Sequence, residues 1–128
     1  MLRMGLAALV LAGPACAHGL ECPARAPADW HASSGVLDGV QVLSARQGEK
    51  IDDRSPPTLV PDDQSTRNGV LHSVWQMNDE GPEWQFFVWC RYAGSERVLK
   101  LAAPGVKRCE YTTPAAHPER APQAMVCD

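Results

Sequence analysis

Glu83-Trp84-Gln85-Phe86-Phe87-Val88-Trp89-Cys90-Arg91-Tyr92 is the stretch that decides the fold class. It holds five of the chain's eight aromatic residues (4 Trp, 2 Tyr and 2 Phe in all). Taken alternately, Trp84, Phe86, Val88, Cys90 and Tyr92 give one wholly apolar face, while Gln85, Phe87, Trp89 and Arg91 mix large aromatics with polar groups. A period of two with one apolar and one mixed face predicts a central strand, its first face in the core and its second at least partly covered.

The neighbouring segments alternate in the same way. Residues 69–77 (GVLHSVWQM) predict a strand, and Asn78-Asp79-Glu80-Gly81-Pro82 after it is a turn cluster. The two strands are therefore expected to form a hairpin, with Trp75 facing Phe86 and Met77 facing Trp84 on the core side. On the second side Val74 would face Phe87, His72 would face Trp89 and Val70 would face Arg91. Residues 97–102, with Leu99 and Leu101 inward, and 106–113, with Cys109 and Tyr111 inward, predict two more strands. Residues 35–45 predict another, with Val36, Val40 and Val42 on one face and a bulge or close backbone approach at Gly39. No helical pattern is strong. The expected fold is mainly β, a small antiparallel meander sheet of about four to six strands.

The connections are less regular. Residues 18–34 read as an irregular arm, tied down by Cys22 and by Trp30 inserting into the core. Residues 46–68 form a long polar connection with three prolines, the acidic pairs Asp52-Asp53 and Asp62-Asp63, and few apolar residues besides Ile51, Leu59 and Val60. Such a length without regular structure is unusual in a compact domain and points to mobility or function. Leu59-Val60-Pro61 is a candidate anchor for its middle. Residues 114–123 form a proline-rich return, and Met125-Val126-Cys127 a closing clip.

The first segment bears on the compartment. Residues 1–4 carry one positive charge, residues 5–13 are apolar and too short to span a bilayer, and Ala15-Cys16-Ala17 places small residues where a signal peptidase reads them. Residues 1–17 are expected to be a signal peptide cleaved after Ala17, leaving a periplasmic or secreted domain of residues 18–128. Lipid attachment at Cys16 is the rival, disfavoured because Gly13 stands where Leu would be expected. Removing residues 1–17 from the 128-residue chain leaves 111 residues and takes Arg3 with it, so 11 Lys and Arg stand against 15 Asp and Glu, a net charge of −4. That is the size of one small domain. Its mild acidity argues against nucleic-acid or anionic-membrane partners, which call for clustered cations.

Four cysteines remain, Cys22, Cys90, Cys109 and Cys127, an even number that predicts two disulfides in an oxidising compartment. Their intervals of 68, 19 and 18 positions contain no C-x-x-C pair, which argues against zinc. Three pairings are open. If residues 97–102 separate the strands of Cys90 and Cys109, those two stand about 9–10 Å apart, beyond bridging distance, which favours Cys22–Cys90 with Cys109–Cys127.

Cys22-Pro23, Leu59-Val60-Pro61-Asp62, Trp75, Trp89-Cys90-Arg91-Tyr92 and Gly105-Val106-Lys107-Arg108-Cys109, in that order, resemble a family of small uncharacterised bacterial exported proteins. The likeness covers most of the mature chain and includes no catalytic motif. It implies export, a disulfide-tied β domain and a bacterial envelope setting.

Nothing in the chain assembles a reaction. There is no G-x-S-x-G and no H-E-x-x-H, and the adjacent acidic pairs lie on a polar loop rather than across a cleft. No catalytic residue and no cofactor is expected. Cleavage after Ala17 would leave His18 as an N-terminal residue able to chelate copper through amine and imidazole, with His31, His72 or His117 as a second ligand, but no ligand spacing supports it. The remaining signal is the second face of the expected hairpin: Val70, His72, Val74, Phe87, Trp89 and Arg91, a candidate interaction patch unless the arm or the long loop covers it. The expected function is that of a non-enzymatic binding protein of the envelope, an inhibitor or immunity-type factor whose partner is another protein; the alternative is a small-ligand or copper carrier.

Overall fold

A computed structural model describes residues 19–77, 81–116 and 123–128. Alternating apolar residues produce eight described strands: β1 (Leu20–Glu21), β2 (Leu37–Arg46), β3 (Asp63–Arg67), β4 (Val70–Gln76), β5 (Trp84–Tyr92), β6 (Val98–Ala102), β7 (Arg108–Pro114) and β8 (Ala124–Cys127). One 3₁₀ turn, Ala28–Trp30, interrupts the arm. The fold is mainly antiparallel β, as the alternation predicts. The strands nevertheless divide into two sheets, one of order β1-β8-β7-β4-β3 and one of order β2-β5-β6.

That division overturns the expected hairpin between residues 69–77 and 84–92. β4 pairs with β3 (His72 opposite Ser65) and β7 (Trp75 opposite Cys109), while β5 pairs with β2 (Val88 opposite Val42) and β6 (Cys90 opposite Leu99). The reason is burial. Each strand has one strongly apolar face, and two such faces satisfy each other better across a core than side by side in one sheet. One apolar cluster draws accordingly on both sheets: Trp75, Cys109, Met125 and Cys127 from one, Leu37, Val42, Val88, Cys90 and Tyr92 from the other. Leu99, Leu101 and Tyr111 pack against it, as their positions predict. β2 carries a register shift between Leu37 and Gly39, in agreement with the bulge expected at Gly39.

The 46–68 segment is more ordered than its composition implies. Asn68 and Gly69 both have positive φ (51° and 74°), the type I′ geometry that folds β3 back on β4 as a two-residue hairpin. Upstream, Thr58 forms an isolated bridge with Leu43, and the Leu59 amide donates to the Val42 carbonyl at 2.8 Å. The Asp62 amide then donates to the Val74 carbonyl at 2.8 Å, so the segment passes from the edge of one sheet to the edge of the other. Leu59 packs on the core, making it the anchor expected of Leu59-Val60-Pro61.

Both disulfides follow the favoured pairing, though not for the expected reason, since Cys90 and Cys109 lie in different sheets. Cys22, just after β1, is bonded to Cys90 in β5 and so joins the two sheets (Cα–Cα 5.9 Å). Cys109 and Cys127 are directly opposed on β7 and β8 and bonded within one sheet (Cα–Cα 4.0 Å). Around Cys22 the arm is further fixed: the Tyr92 hydroxyl donates to the Pro23 carbonyl at 2.7 Å, and Trp30 meets the Tyr92 ring edge-on with centroids 5.9 Å apart.

Two stability predictions follow from this architecture. Chain separations of 68 and 18 for the two bonds imply that replacing Cys22 and Cys90 by Ala costs about 1 kcal/mol more than replacing Cys109 and Cys127, within an expected ~2–5 kcal/mol for either. Urea unfolding of the two double variants measures both. Gly94 has φ of 80°, and a Cβ there would meet the Ser33 hydroxyl and lie 2.8 Å from the Ser33 amide nitrogen. Gly94→Ala should therefore lose about 1–3 kcal/mol, read by the same unfolding series.

Candidate protein-binding face

Strand register determines which side chains share a face. On β4, Val70, His72 and Val74 point to the side of the five-stranded sheet opposite Ser73 and Trp75, which are buried. Opposite them stand Arg67, Ser65 and Asp63 of β3 and Pro114, Thr112 and Glu110 of β7. Glu110 in turn faces Val126 of β8, and Val126 faces Glu21 of β1. The register thus lines up a face spanning all five strands. Val126, 48% exposed, is one of the two exposed large hydrophobic side chains among the described residues.

Glu110 lies at the centre. One carboxylate oxygen is 2.6 Å from His72 Nδ1 and 4.0 Å from an Arg67 guanidinium nitrogen, and the other accepts from Arg108 at 3.2 Å. The hydrogen bond from His72 is the main cause holding the Glu110 carboxyl below the usual carboxylate range; partial burial opposes it, and Arg108 adds to it. With Nδ1 engaged, His72 keeps Nε2 for another partner. A His–carboxylate pair is also the orienting half of a hydrolytic triad, and Ser65 stands opposite His72. Acyl transfer further requires a water-excluding cleft with oxyanion donors. This pair sits on a sheet face, which suits it to charge pairing and hydrogen bonding with a partner.

The six residues expected to form one patch do not. Phe87, Trp89 and Arg91 lie on the outer side of the three-stranded sheet, on β5. Trp89 is 3% exposed, with Lys100 Nζ 4.6 Å from its ring centroid and Lys100 bonded at 2.7 Å to Asp53 of the long segment. Leu43 and Ala45 of β2 are buried on this same side, outside the main core. Arg91 is spent on Gln41, and Phe87 is half-buried. This side is a second, small apolar layer, the covered alternative, and His72 pairs with Glu110 rather than packing on Trp89. His18 and His117 lie outside the described residues. Among the described residues, no group of three His, Cys, Asp or Glu could hold a metal ion.

A cleft of about 360 Å³ opens at the end of the three-stranded sheet between Trp84, Phe86, Phe87, Ala102 and Pro104. Among the described residues, no titratable side chain lines it. Glu110, Arg108 and Arg67 are the residues of the open face that patterning along the chain misses. The Asn68-Gly69 dipeptide was the one signal for β3, and hence for Arg67; the approach of His72 and Glu110, 38 positions apart, has no local signature.

A small, disulfide-tied antiparallel β protein with one wide charged-and-apolar sheet face is suited to holding another protein rather than to transforming a small molecule. Over residues 32–128 the chain matches the model of the type VI secretion system Tli immunity proteins, and it belongs to that family. It is thus an immunity-type factor of the bacterial envelope, as expected of the non-enzymatic binding role. The matched region includes every motif of the resemblance noted above except Cys22-Pro23. It is also similar to an uncharacterised 16.3 kDa protein in the trpG 5′ region of Azospirillum brasilense, 29% identical over 122 residues, covering 79% of this chain and 75% of that protein. No solved structure matches it.

The Glu110 cluster makes a pH prediction. A carboxyl whose pKa is lowered by folding contributes stability that is complete above its unfolded value and is lost as the pH falls through the folded one. Glu110→Gln should be less stable than wild type at about pH 7, and the gap should narrow as the pH falls below the ordinary Glu value of about 4.3. Urea unfolding across that range tests it; a gap independent of pH would show that the carboxylate is not held in this way.

Proposed function

We propose that the chain confers immunity by binding a type VI effector protein, and that the outer face of the five-stranded sheet makes the contact. The observation that carries this reading is the Glu110 cluster set among Val70, Val74 and Val126. Charges fixed by one another within a sheet lose little side-chain freedom on binding, and valines around them supply apolar area; together they give a partner both register and adhesion. Protection would come from occupying the effector, with no chemistry required of the immunity factor. Residues 1–17 fit a leader that delivers the chain to the periplasm, and two disulfides suit the oxidising conditions there.

The test uses the oxidised protein, residues 18–128, titrated calorimetrically against purified type VI effectors of the same organism. One effector should bind with one-to-one stoichiometry. Val74→Arg and Val126→Arg should each weaken it by about 2 kcal/mol or more, with Glu96→Arg in the β5–β6 turn as the unaffected control. Absence of binding by every effector would sink the reading, and tight binding indifferent to both valine variants would move the contact off this face.

A further inference from the structure

We infer that Val60 is a preformed anchor that inserts into an apolar pocket with a basic rim on the protein the chain binds; this inference rests on the effector-binding reading. Val60 is 83% exposed, more than any other large hydrophobic side chain among the described residues. A lone exposed valine on a loose loop would be ordinary. Val60 differs because the chain is fixed immediately on both sides of it.

On the N-terminal side the Leu59 side chain packs on the core, its amide donates to Val42, and its carbonyl accepts from the Trp75 indole nitrogen at 3.1 Å. One residue earlier, the Thr58 hydroxyl accepts from the Gln41 side chain at 3.2 Å. On the C-terminal side the Asp62 amide donates to Val74, and the Asp62 carboxylate accepts from the Gln76 amide at 2.6 Å. Pro61 has a fixed φ and holds the residue before it, Val60, in the extended region. The valine is therefore presented by a strap whose ends are bound to different sheets. An apolar group already held in place gives up little conformational entropy when a pocket closes on it.

The surroundings define the pocket. Asp62 and Asp63 are exposed beside Val60, and Asp63 opens β3, at the border of the proposed binding face. Two carboxylates two and three residues beyond one small apolar side chain disfavour an anionic lipid surface and favour a protein pocket rimmed by Lys or Arg. The strap and the sheet face are contiguous through Val74, which contacts Asp62 by backbone and faces Asp63 across the sheet.

The experiment compares Val60→Ala, Val60→Asp and the double variant Asp62→Asn/Asp63→Asn with wild type, against the purified effector that wild type binds. Val60→Ala should weaken binding about tenfold and Val60→Asp about 100-fold, with melting temperatures unchanged because the side chain makes no core contact. The double variant should slow association and reduce its salt dependence. Val60→Asp binding within about twofold of wild type, while Val74→Arg still weakens it, would overturn the strap and leave the sheet face standing. Failure of wild type to bind any effector would overturn both.

Discussion

The bond between Cys22 and Cys90 is the constraint on which the architecture depends. The first sheet owns the residues next to Cys22 through β1, and the second owns Cys90 through the middle of β5. The two sheets share no strand, and hydrogen bonding along strands cannot hold them together. What joins them is the apolar cluster, this covalent tie, the Tyr92 hydroxyl on the Pro23 carbonyl next to it, and the 58–62 strap bonded to both sheets. Burial raises the Tyr92 pKa, as befits a phenol that keeps its proton and spends it on a backbone acceptor. A small domain with limited core gains most from a cross-link placed where its two halves would otherwise separate.

The rest of the molecule uses this frame asymmetrically. One outer side is sealed: the long segment brings Asp53 to Lys100, Lys100 lies over Trp89, and Leu43 and Ala45 fill the layer beneath. The other outer side keeps its polar groups mutually paired around Glu110 and its valines accessible. An immunity factor has to bind tightly in one place and remain inert elsewhere, and on the proposed reading one finished side and one unfinished side meet that requirement.

Alternation of apolar residues identifies β2, β4, β5, β6 and β7 to within a few residues, and the inward positions Val42, Val88, Cys90, Leu99 and Cys109 with them. It carries no information about partners. Proximity along the chain makes β4 and β5 look like a hairpin, yet the two belong to different sheets. β3 escapes the same reading for a physical reason: Asp63-Gln64-Ser65-Thr66-Arg67 is an edge strand with every residue exposed, and it needs no apolar side chain to hold its place. The proposed binding face is half legible. Val70, His72 and Val74 do share a surface, but their companions Glu110 and Arg108 come from a strand some 35 to 40 positions away, and Phe87 and Trp89 serve as filling on the opposite side.

β8 sits between β1 and β7, bonded to β7 through Cys109–Cys127 and paired with β1 through Leu20 opposite Cys127. The last of the described strands is therefore an interior strand of its sheet, and the first of them has no sheet to join until the last one arrives. For a polypeptide synthesised N-terminus first, this order of pairing postpones closure of the sheet until residues 124–127 are made. The Cys109–Cys127 bond waits as well, whereas Cys22 needs only Cys90. Topology here acts as a timing device, leaving β1 without a partner until β8 is present.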